Sequence, residues 1–188
     1  MEYRMGIIKL NHKKTDVAQV PCKHSTINVH SSKEANNHGQ AQFKPNTTVA
    51  AVIHHQGKFL LVEEIEHNKT VFNQPAGHLE QGEDLIGAVR REVAEETGLT
   101  LYPDYLCGIY YLYRSDLNLY FIRFCFVIEL DSWLIGKPQD DEIIATHWLT
   151  FEEIQDKAIQ LRSSLVLECL KDYLSGNKIP LSNLKSSI

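Results

Sequence analysis

Runs of apolar and β-branched residues recur along the chain from residue 47 and predict a β-sheet. Residues 47–54 and 58–64 are two such runs, and the His55-Gln56-Gly57 sequence between them is typical of a hairpin turn. Further strands are predicted over residues 71–74, 106–114, 119–129 and 143–149. Pro75 and Gly77 are expected to end the first of these, and Ser115-Asp116 to lie in the turn between the second and the third.

A helical period of apolar residues appears over residues 84–97, where Leu85, Val89 and Val93 recur every four positions. Gly98 follows, at the position where many helices end in a left-handed conformation. A capping-box pattern from residue 150 predicts a short helix, and residues 163–175 predict a last amphipathic helix. Hairpin strands with interspersed helices and no regular βαβ unit predict an α+β fold, a sandwich around a mixed sheet.

Charge and composition change sharply near Phe43. Residues 1–42 carry a net charge of +3 and the remainder −8, and the first segment is rich in Asn, His, Ser and Lys without a regular period. We therefore predict that residues 1–42 are a disordered or loosely docked extension and that residues 43–188 form the domain. The alternative for the extension is a metal site formed by Cys22-x-His24 with a further histidine.

Composition limits the class of protein. The 188 residues have a formal net charge of −5, which argues against a surface built to bind nucleic acid. No window reaches the roughly 18 to 20 apolar residues that span a bilayer, and the N-terminus lacks a signal peptide's apolar run, so a cytoplasmic protein is expected. The scattered cysteines favour buried free thiols at Cys107, Cys125 and Cys169 over a disulfide framework.

The helix over residues 84–97 carries the chemistry. Glu92, Glu95 and Glu96 stand at i, i+3 and i+4, which places three carboxylates within one arc of a helix. A solvated acidic face partly neutralised by Arg91 is one interpretation. The other is a site for a hard divalent cation such as Mg²⁺, because the acids flank the apolar arc that must face the sheet.

The loop that precedes this helix fits the metal interpretation. Gly77 and Gly82 permit a tight path, and Gly77 could bring its carbonyl close to a metal that the helix also reaches. Glu80 and Glu83 add acid to the loop, and Glu83 lies at the favourable positive end of the helix.

The whole stretch resembles the Nudix box. Every fixed position of that motif is filled. In order, the motif reads Gly77, five residues, Glu83, seven residues, Arg91-Glu92-Val93, one residue, Glu95-Glu96, one residue and Gly98-Leu99. The resemblance implies the Nudix fold, an α/β/α sandwich around a mixed β-sheet. It also implies Mg²⁺- or Mn²⁺-dependent hydrolysis of a nucleoside diphosphate linked to another group.

Roles in the Nudix box carry over residue by residue. Glu92, Glu95 and Glu96 match the metal-binding carboxylates, and Glu92 or a glutamate near it is a candidate general base. Gly77 matches the glycine whose carbonyl can complete the metal shell. Arg91 matches an arginine that orients the glutamates, and Glu83 a glutamate that supports the loop, sometimes through metal-bound water.

The resemblance extends to a Nudix subgroup, the bacterial NudJ-type phosphatases. Three segments outside the box carry it: Phe43-Lys-Pro-Asn, Asn73-Gln-Pro-Ala-Gly-His-Leu-Glu80, and Leu161-Arg-Ser163 with the helix after it. This similarity implies action on nucleoside di- and triphosphates and on thiamine-pathway pyrophosphates, namely hydroxymethylpyrimidine pyrophosphate and thiamine pyrophosphate.

Residues outside the box supply further candidates. Arg123 lies in the middle of an apolar strand and needs an anionic partner, which is either a substrate phosphate or a structural acid. Glu142, on an acidic loop, is either a fourth metal ligand or base, or merely solvated. Asn73 and Gln74 adjoin the box and could contact the substrate. Four aromatic residues at strand spacing are expected in the core rather than against a substrate ring: Phe72, Tyr111, Tyr113 and Trp148.

Two classes of function follow from these residues. The first is a Mg²⁺-dependent pyrophosphohydrolase that acts on a small phosphoanhydride, with ADP-ribose or dinucleoside polyphosphates as alternative substrates. The second is a Nudix-like sensor that binds a nucleotide without cleaving it. The complete set of Glu92, Glu95, Glu96 and Arg91 favours catalysis. No stable nucleic-acid or membrane partner is expected, and the protein is expected to be a monomer or homodimer.

Overall fold

The structure, a computed structural model, describes residues 43–188. The strands are β1 (Asn46–His55), β2 (Lys58–Glu66), β3 (Lys69–Asn73), β4 (Ala76–His78), β5 (Tyr105–Arg114), β6 (Leu119–Glu129), β7 (Ile143–Thr150) and β8 (Ile179–Pro180). The helices are α1 (Leu85–Thr97), α2 (Phe151–Asp156) and α3 (Leu165–Leu174). The predictions for residues 1–42, including the site at Cys22 and His24, lie outside the described residues.

One mixed sheet organises these elements. Its strands follow the order β3-β2-β1-β6-β5-β8, while β4 pairs with β1 and β7 pairs with β2. The β1–β6 pairing is parallel, and the other pairings between named strands are antiparallel. The predicted α+β fold with a mixed sheet is therefore confirmed.

Helices cover both faces of the sheet. Because successive strand residues point to opposite faces, Val49, Ala51 and Ile53 of β1 pack with α1, whereas Ala50 and Val52 pack with α2 and α3. Each of these five side chains is at most 1% exposed, so both layers are closed cores. The sandwich implied by the resemblance is present.

Local sequence signals set the helix ends, and the predicted stop at Gly98 and the predicted capping box are both present. The Asp84 side chain accepts a hydrogen bond from the Gly87 amide at 2.7 Å and caps α1. Gly98 ends α1 with φ 71°, and Thr150 and Glu153 form the complete capping box of α2. Among the described residues, no helix is long and apolar enough to cross a membrane.

The sheet departs from the prediction beside the functional loop. After the turn at Gln56-Gly57, β1 and β2 remain paired only at His54–Phe59 and His55–Lys58. The first half of β1 pairs instead with β4, a strand that the sequence did not predict after the stop at Pro75 and Gly77. This short strand pairs over three residues and places Gly77 opposite Val49.

Two side-chain predictions have different outcomes. Cys107, Cys125 and Cys169 are free, buried thiols, as expected. The core prediction for the aromatic residues is wrong at Tyr111 and Tyr113, which are 64% and 45% exposed. Within residues 43–188 little packs over these two side chains of β5, since strand spacing fixes the face of a residue but not what covers it.

Candidate active site

The glutamates of α1 stand beside its buried apolar face. Helical geometry places Glu92 and Glu96 next to Val89 and Val93, so packing of those valines on the sheet also buries the two acids. Glu92 is 9% exposed and Glu96 is 6% exposed. Glu95 lies further round the helix, and its side chain is 48% exposed.

Glu96 is held from the β4 side. Its Oε2 accepts a hydrogen bond from the Ala76 amide at 2.9 Å. Burial raises the pKa of Glu96 to about 9, against the lowering effect of that hydrogen bond, and the nearby charges of Glu92 and Glu64 raise it further. Burial also raises the pKa of Glu92, despite its contact with Arg91. Glu96 therefore has no cation bonded to it that would stabilise its ionised form, whereas Arg91 stabilises that of Glu92 in part.

Arg91 connects the glutamates with the loop before the helix. Its Nη1 donates to Glu92 Oε1 at 2.8 Å and to Glu95 Oε2 at 3.0 Å. Its Nη2 donates to Glu83 Oε1 at 2.8 Å and to the His78 carbonyl at 2.9 Å, and its Nε donates to Glu83 Oε2 at 3.1 Å. One guanidinium thus fixes two of the three carboxylates and the loop.

Glu83 supports the loop from both of its oxygens. Besides the two bonds from Arg91, its Oε1 accepts the Glu80 amide at 2.8 Å. These hydrogen bonds lower the pKa of Glu83, with that from Arg91 making the largest contribution. Glu83 is therefore a negatively charged support, with both oxygens engaged by protein donors.

Gly77 gives the Glu92 carboxylate room. A Cβ on Gly77 would lie 2.1 Å from Glu92 Oε1, closer than van der Waals contact allows. Only glycine permits β4 to run this close to α1, so the backbone of Gly77 and the Glu92 carboxylate share one small space.

Glu142 does not join the carboxylates of α1 in this structure. It is exposed, and its amide donates to Asp140 Oδ1 at 2.9 Å. The loop that carries it is fastened to the end of α1, where the amides of Gln139 and Asp140 donate to the Glu95 carbonyl at 2.8 and 3.0 Å.

A cavity of about 210 Å³ opens beside the segment that precedes α1. Gly77 and His78 form part of its wall, which joins the cavity to the segment that Arg91 contacts. Arg123 lines it from β6, and its Nε and one terminal nitrogen are buried without a hydrogen-bond partner in the described chain. Burial lowers the pKa of Arg123, which shows how poorly its charge is compensated.

Asn73 and Gln74 occupy different positions, although both are only 1% exposed. Asn73 lines the cavity, and its Oδ1 has no partner within residues 43–188. Gln74 is not among the lining residues, and both polar atoms of its side chain are buried without a partner in the same range.

Sequence reasoning missed three residues near the cavity. Arg162 and Ser163 line it just before α3, and Glu64 of β2 is 7% exposed and bonded to Arg162. The Leu161-Arg-Ser163 segment was noted for its resemblance, but it contains no local pattern that indicates a binding role. Only the fold brings it beside the loop of the Nudix box.

The donor set around α1 fits a hard divalent cation. It consists of the carboxylate oxygens of three glutamates, with the backbone of Gly77 close to the Glu92 carboxylate, and oxygen ligands are those that Mg²⁺ and Mn²⁺ prefer. Between residues 43 and 188, no three His, Cys, Asp or Glu side chains converge closely enough to hold a metal ion. An open set of carboxylates is the usual form for Mg²⁺, which keeps water and substrate phosphates among its ligands.

Comparison with known proteins agrees with this geometry. The NUDIX domain family matches residues 43–168. The phosphatase NudJ of Shigella boydii is 45% identical over 139 residues, which are 74% of this chain and 90% of that protein. The phosphatase NudJ of Escherichia coli K12 is 44% identical with the same coverage. A solved NUDIX hydrolase from Nitrosomonas europaea superposes with a TM-score of 0.72 at 42% identity, covering 76% of this chain and 97% of that one.

The chain therefore belongs to the Nudix family, and its fold is the Nudix fold. Within the family it is a NudJ-like phosphatase, a hydrolase that acts on phosphoanhydride bonds. Both the family and the subgroup inferred from the sequence are confirmed. Nudix hydrolases generally use divalent metals such as Mg²⁺ or Mn²⁺.

Proposed function

We propose that this NudJ-like enzyme hydrolyses nucleoside di- and triphosphates and thiamine-pathway pyrophosphates in a reaction that requires Mg²⁺ or Mn²⁺. The observation that carries the proposal is the pair of buried glutamates, Glu92 and Glu96. They lie against the Ala76-Gly77 backbone, which also lines a cavity with three arginines. The substrate class rests on the similarity to NudJ phosphatases.

The metal-binding residues would be Glu92, Glu95, Glu96 and the carbonyl of Gly77, with Glu83 as their support. A bound divalent ion lowers the pKa of water and offsets the charge of phosphate oxygens. Buried carboxylates with raised pKa values fit this role, since a cation would supply the positive charge that the protein around Glu96 does not.

The protein's own groups would then orient the reactants. Arg91 holds Glu92 and Glu95 in place, and the Ala76 amide holds one oxygen of Glu96, so the carboxylates cannot turn freely. Glu92 is the first candidate to accept the proton of the attacking water, and Glu142 is the second. Arg123 and Asn73 would contact the substrate from the cavity wall.

Three other parts of the proposal rest on the sequence alone. We propose that the enzyme acts in the cytoplasm, that it is a monomer or homodimer, and that it has no stable nucleic-acid partner. Gln74 is buried and does not line the cavity, so the structure gives no support to a contact between Gln74 and the substrate.

The test measures release of phosphate and mononucleotide from a panel of substrates with and without Mg²⁺. The panel holds nucleoside di- and triphosphates, hydroxymethylpyrimidine pyrophosphate, thiamine pyrophosphate, ADP-ribose and a dinucleoside polyphosphate. Glu96→Gln is compared with Glu152→Gln, which removes one exposed carboxylate from α2.

We expect metal-dependent turnover that is lost in Glu96→Gln and kept in Glu152→Gln. A preference for ADP-ribose or the dinucleoside polyphosphate would replace the proposed substrate class. Nucleotide binding without turnover on any compound would contradict catalysis and favour the sensor.

A further inference from the structure

The cavity wall formed by Arg162 and Ser163 is fixed by backbone contacts with β3. The Arg162 amide donates to the Phe72 carbonyl at 3.0 Å, and Leu161 forms a parallel bridge with Phe72. The segment before α3 is thus held against the edge of the sheet, and Arg162 and Ser163 enter the same cavity as Gly77 and His78.

Carboxylates of β2 hold one side of the Arg162 guanidinium. Its Nη1 donates to Glu64 Oε2 at 2.7 Å, and its Nε lies 3.6 Å from Glu66 Oε1. The side chain is 36% exposed, and its Nη2 makes no hydrogen bond within residues 43–188. A guanidinium fixed in this way presents free donors toward the cavity.

Other donors on the same wall lack partners. The Ser163 hydroxyl is buried with no hydrogen bond in the described chain, and the same is true of two nitrogens of Arg123. Buried donors without a partner are unfavourable, and charged ones more so, and an acceptor that enters the cavity would therefore be bound more tightly. Glu66 also lines the cavity, but Arg114 at 3.4 Å partly offsets its charge.

We propose that Arg162 and Ser163, together with Arg123, bind the free terminal phosphate of the substrate and so favour diphosphate monoesters over diphosphate diesters. This inference rests on the proposed hydrolase function. A terminal phosphate has three acceptor oxygens and close to two negative charges, which matches two arginines and a hydroxyl. An internal phosphate is esterified on both sides and has fewer free oxygens to accept hydrogen bonds from these donors.

The test compares two substrates that share the adenosine diphosphate group. ADP ends in a free phosphate, whereas the terminal phosphate of ADP-ribose is esterified. We would measure kcat and KM on both for the wild type, Ser163→Ala, Arg162→Gln and Lys171→Gln. Lys171→Gln is the matched control because it removes one positive charge from an exposed position on α3.

Ser163→Ala is the cleanest variant, since its hydroxyl has no partner in the described protein and its loss leaves the folded state intact. We expect its kcat/KM for ADP to fall about five- to tenfold, mainly through KM, and that for ADP-ribose to change less than twofold. Arg162→Gln should lower the ADP value about ten- to a hundredfold. The double variant Glu64→Gln, Arg162→Gln is the check on Arg162→Gln, because it does not leave the Glu64 carboxylate buried without its partner.

A second readout does not depend on turnover. Calorimetric titration with inorganic phosphate should show weaker binding to Ser163→Ala and Arg162→Gln than to the wild type or Lys171→Gln. Equal losses on ADP and ADP-ribose, or unchanged phosphate binding, would overturn the inference while the hydrolase function stands. If the wild type shows no turnover but phosphate binding still depends on Arg162, the proposed function is overturned and the phosphate subsite is kept.

Discussion

Replacing Gly77 with alanine is expected to lower the activity of the enzyme by displacing a single carboxylate. The new methyl carbon would lie 2.1 Å from Glu92 Oε1, 2.2 Å from Glu92 Cδ and 2.4 Å from Glu92 Oε2. The backbone of Gly77 is not in the left-handed region, so alanine fits the local conformation. The whole conflict therefore falls on the Glu92 side chain.

Glu92 can relieve the clash only by moving away from its present partner. That movement breaks the 2.8 Å hydrogen bond from Arg91 Nη1, and a hydrogen bond to a charged group contributes about 1.5–3 kcal/mol. Loss of that amount from the transition state lowers kcat/KM about ten- to a hundredfold. Overpacking adds a cost of roughly 1–3 kcal/mol to the free energy of unfolding.

The assay is metal-dependent phosphate release by Gly77→Ala, with urea unfolding measured in parallel. Gly57→Ala is the matched control: Gly57 lies in a turn with φ 77° and would place its Cβ in open space. The control should lose about 1–2 kcal/mol of stability through the left-handed conformation and keep its kcat/KM. Wild-type activity in Gly77→Ala, or equal activity losses in both variants, would refute the role of this close approach.

Three further predictions concern stability and are measured by urea unfolding. Gly98→Ala combines a φ of 71° with a Cβ placed 2.1 Å from the Lys137 carbonyl oxygen. We therefore expect the free energy of unfolding to fall by roughly 2–4 kcal/mol, and a fall below about 1 kcal/mol would contradict this packing. Thr150→Ala removes the cap of α2 and should cost about 1 kcal/mol without altering kcat/KM. Burial raises the pKa of Glu129, but hydrogen bonds from His54 and two tyrosines outweigh it and hold the pKa below its usual value. The stability that this carboxylate contributes is therefore present above the unfolded pKa of about 4.3 and lost as pH falls through the folded pKa. The stability advantage of the wild type over Glu129→Gln should shrink below about pH 5. A constant difference in stability down to about pH 3 would contradict this direction.

The Nudix box could be predicted because its parts are close in sequence and contact one another. A helix of 3.6 residues per turn places Glu92, Glu95 and Glu96 on adjoining positions without help from the rest of the fold. Arg91 and Glu83 are eight residues apart, and their contact follows from the helix and the loop before it. Local spacing therefore carried enough information for this half of the site.

The cavity half could not be predicted in the same way. Arg162 and Glu64 are 98 residues apart and meet only because the segment before α3 packs against β3. Neither residue belongs to a spacing pattern that differs from an ordinary surface charge. The strand β4 was missed for a related reason, since Pro75 and Gly77 are poor strand formers and pairing with β1 overrides their preference.

This difference explains why the reaction class is readable from the chain and the substrate is not. Arg91 touches Glu83, His78, Glu92 and Glu95 at once, so the arrangement of the loop and that of the carboxylates are one interdependent unit. A change at any member disturbs the others, and such a unit must appear in the sequence as a fixed motif. The proposed substrate donors of the cavity wall come from separate parts of the fold, Arg123 from β6 and Arg162 with Ser163 from the segment before α3, so each can change alone and leave the chemistry intact. Substrate preference must therefore be sought in the cavity, beginning with Arg162 and Ser163.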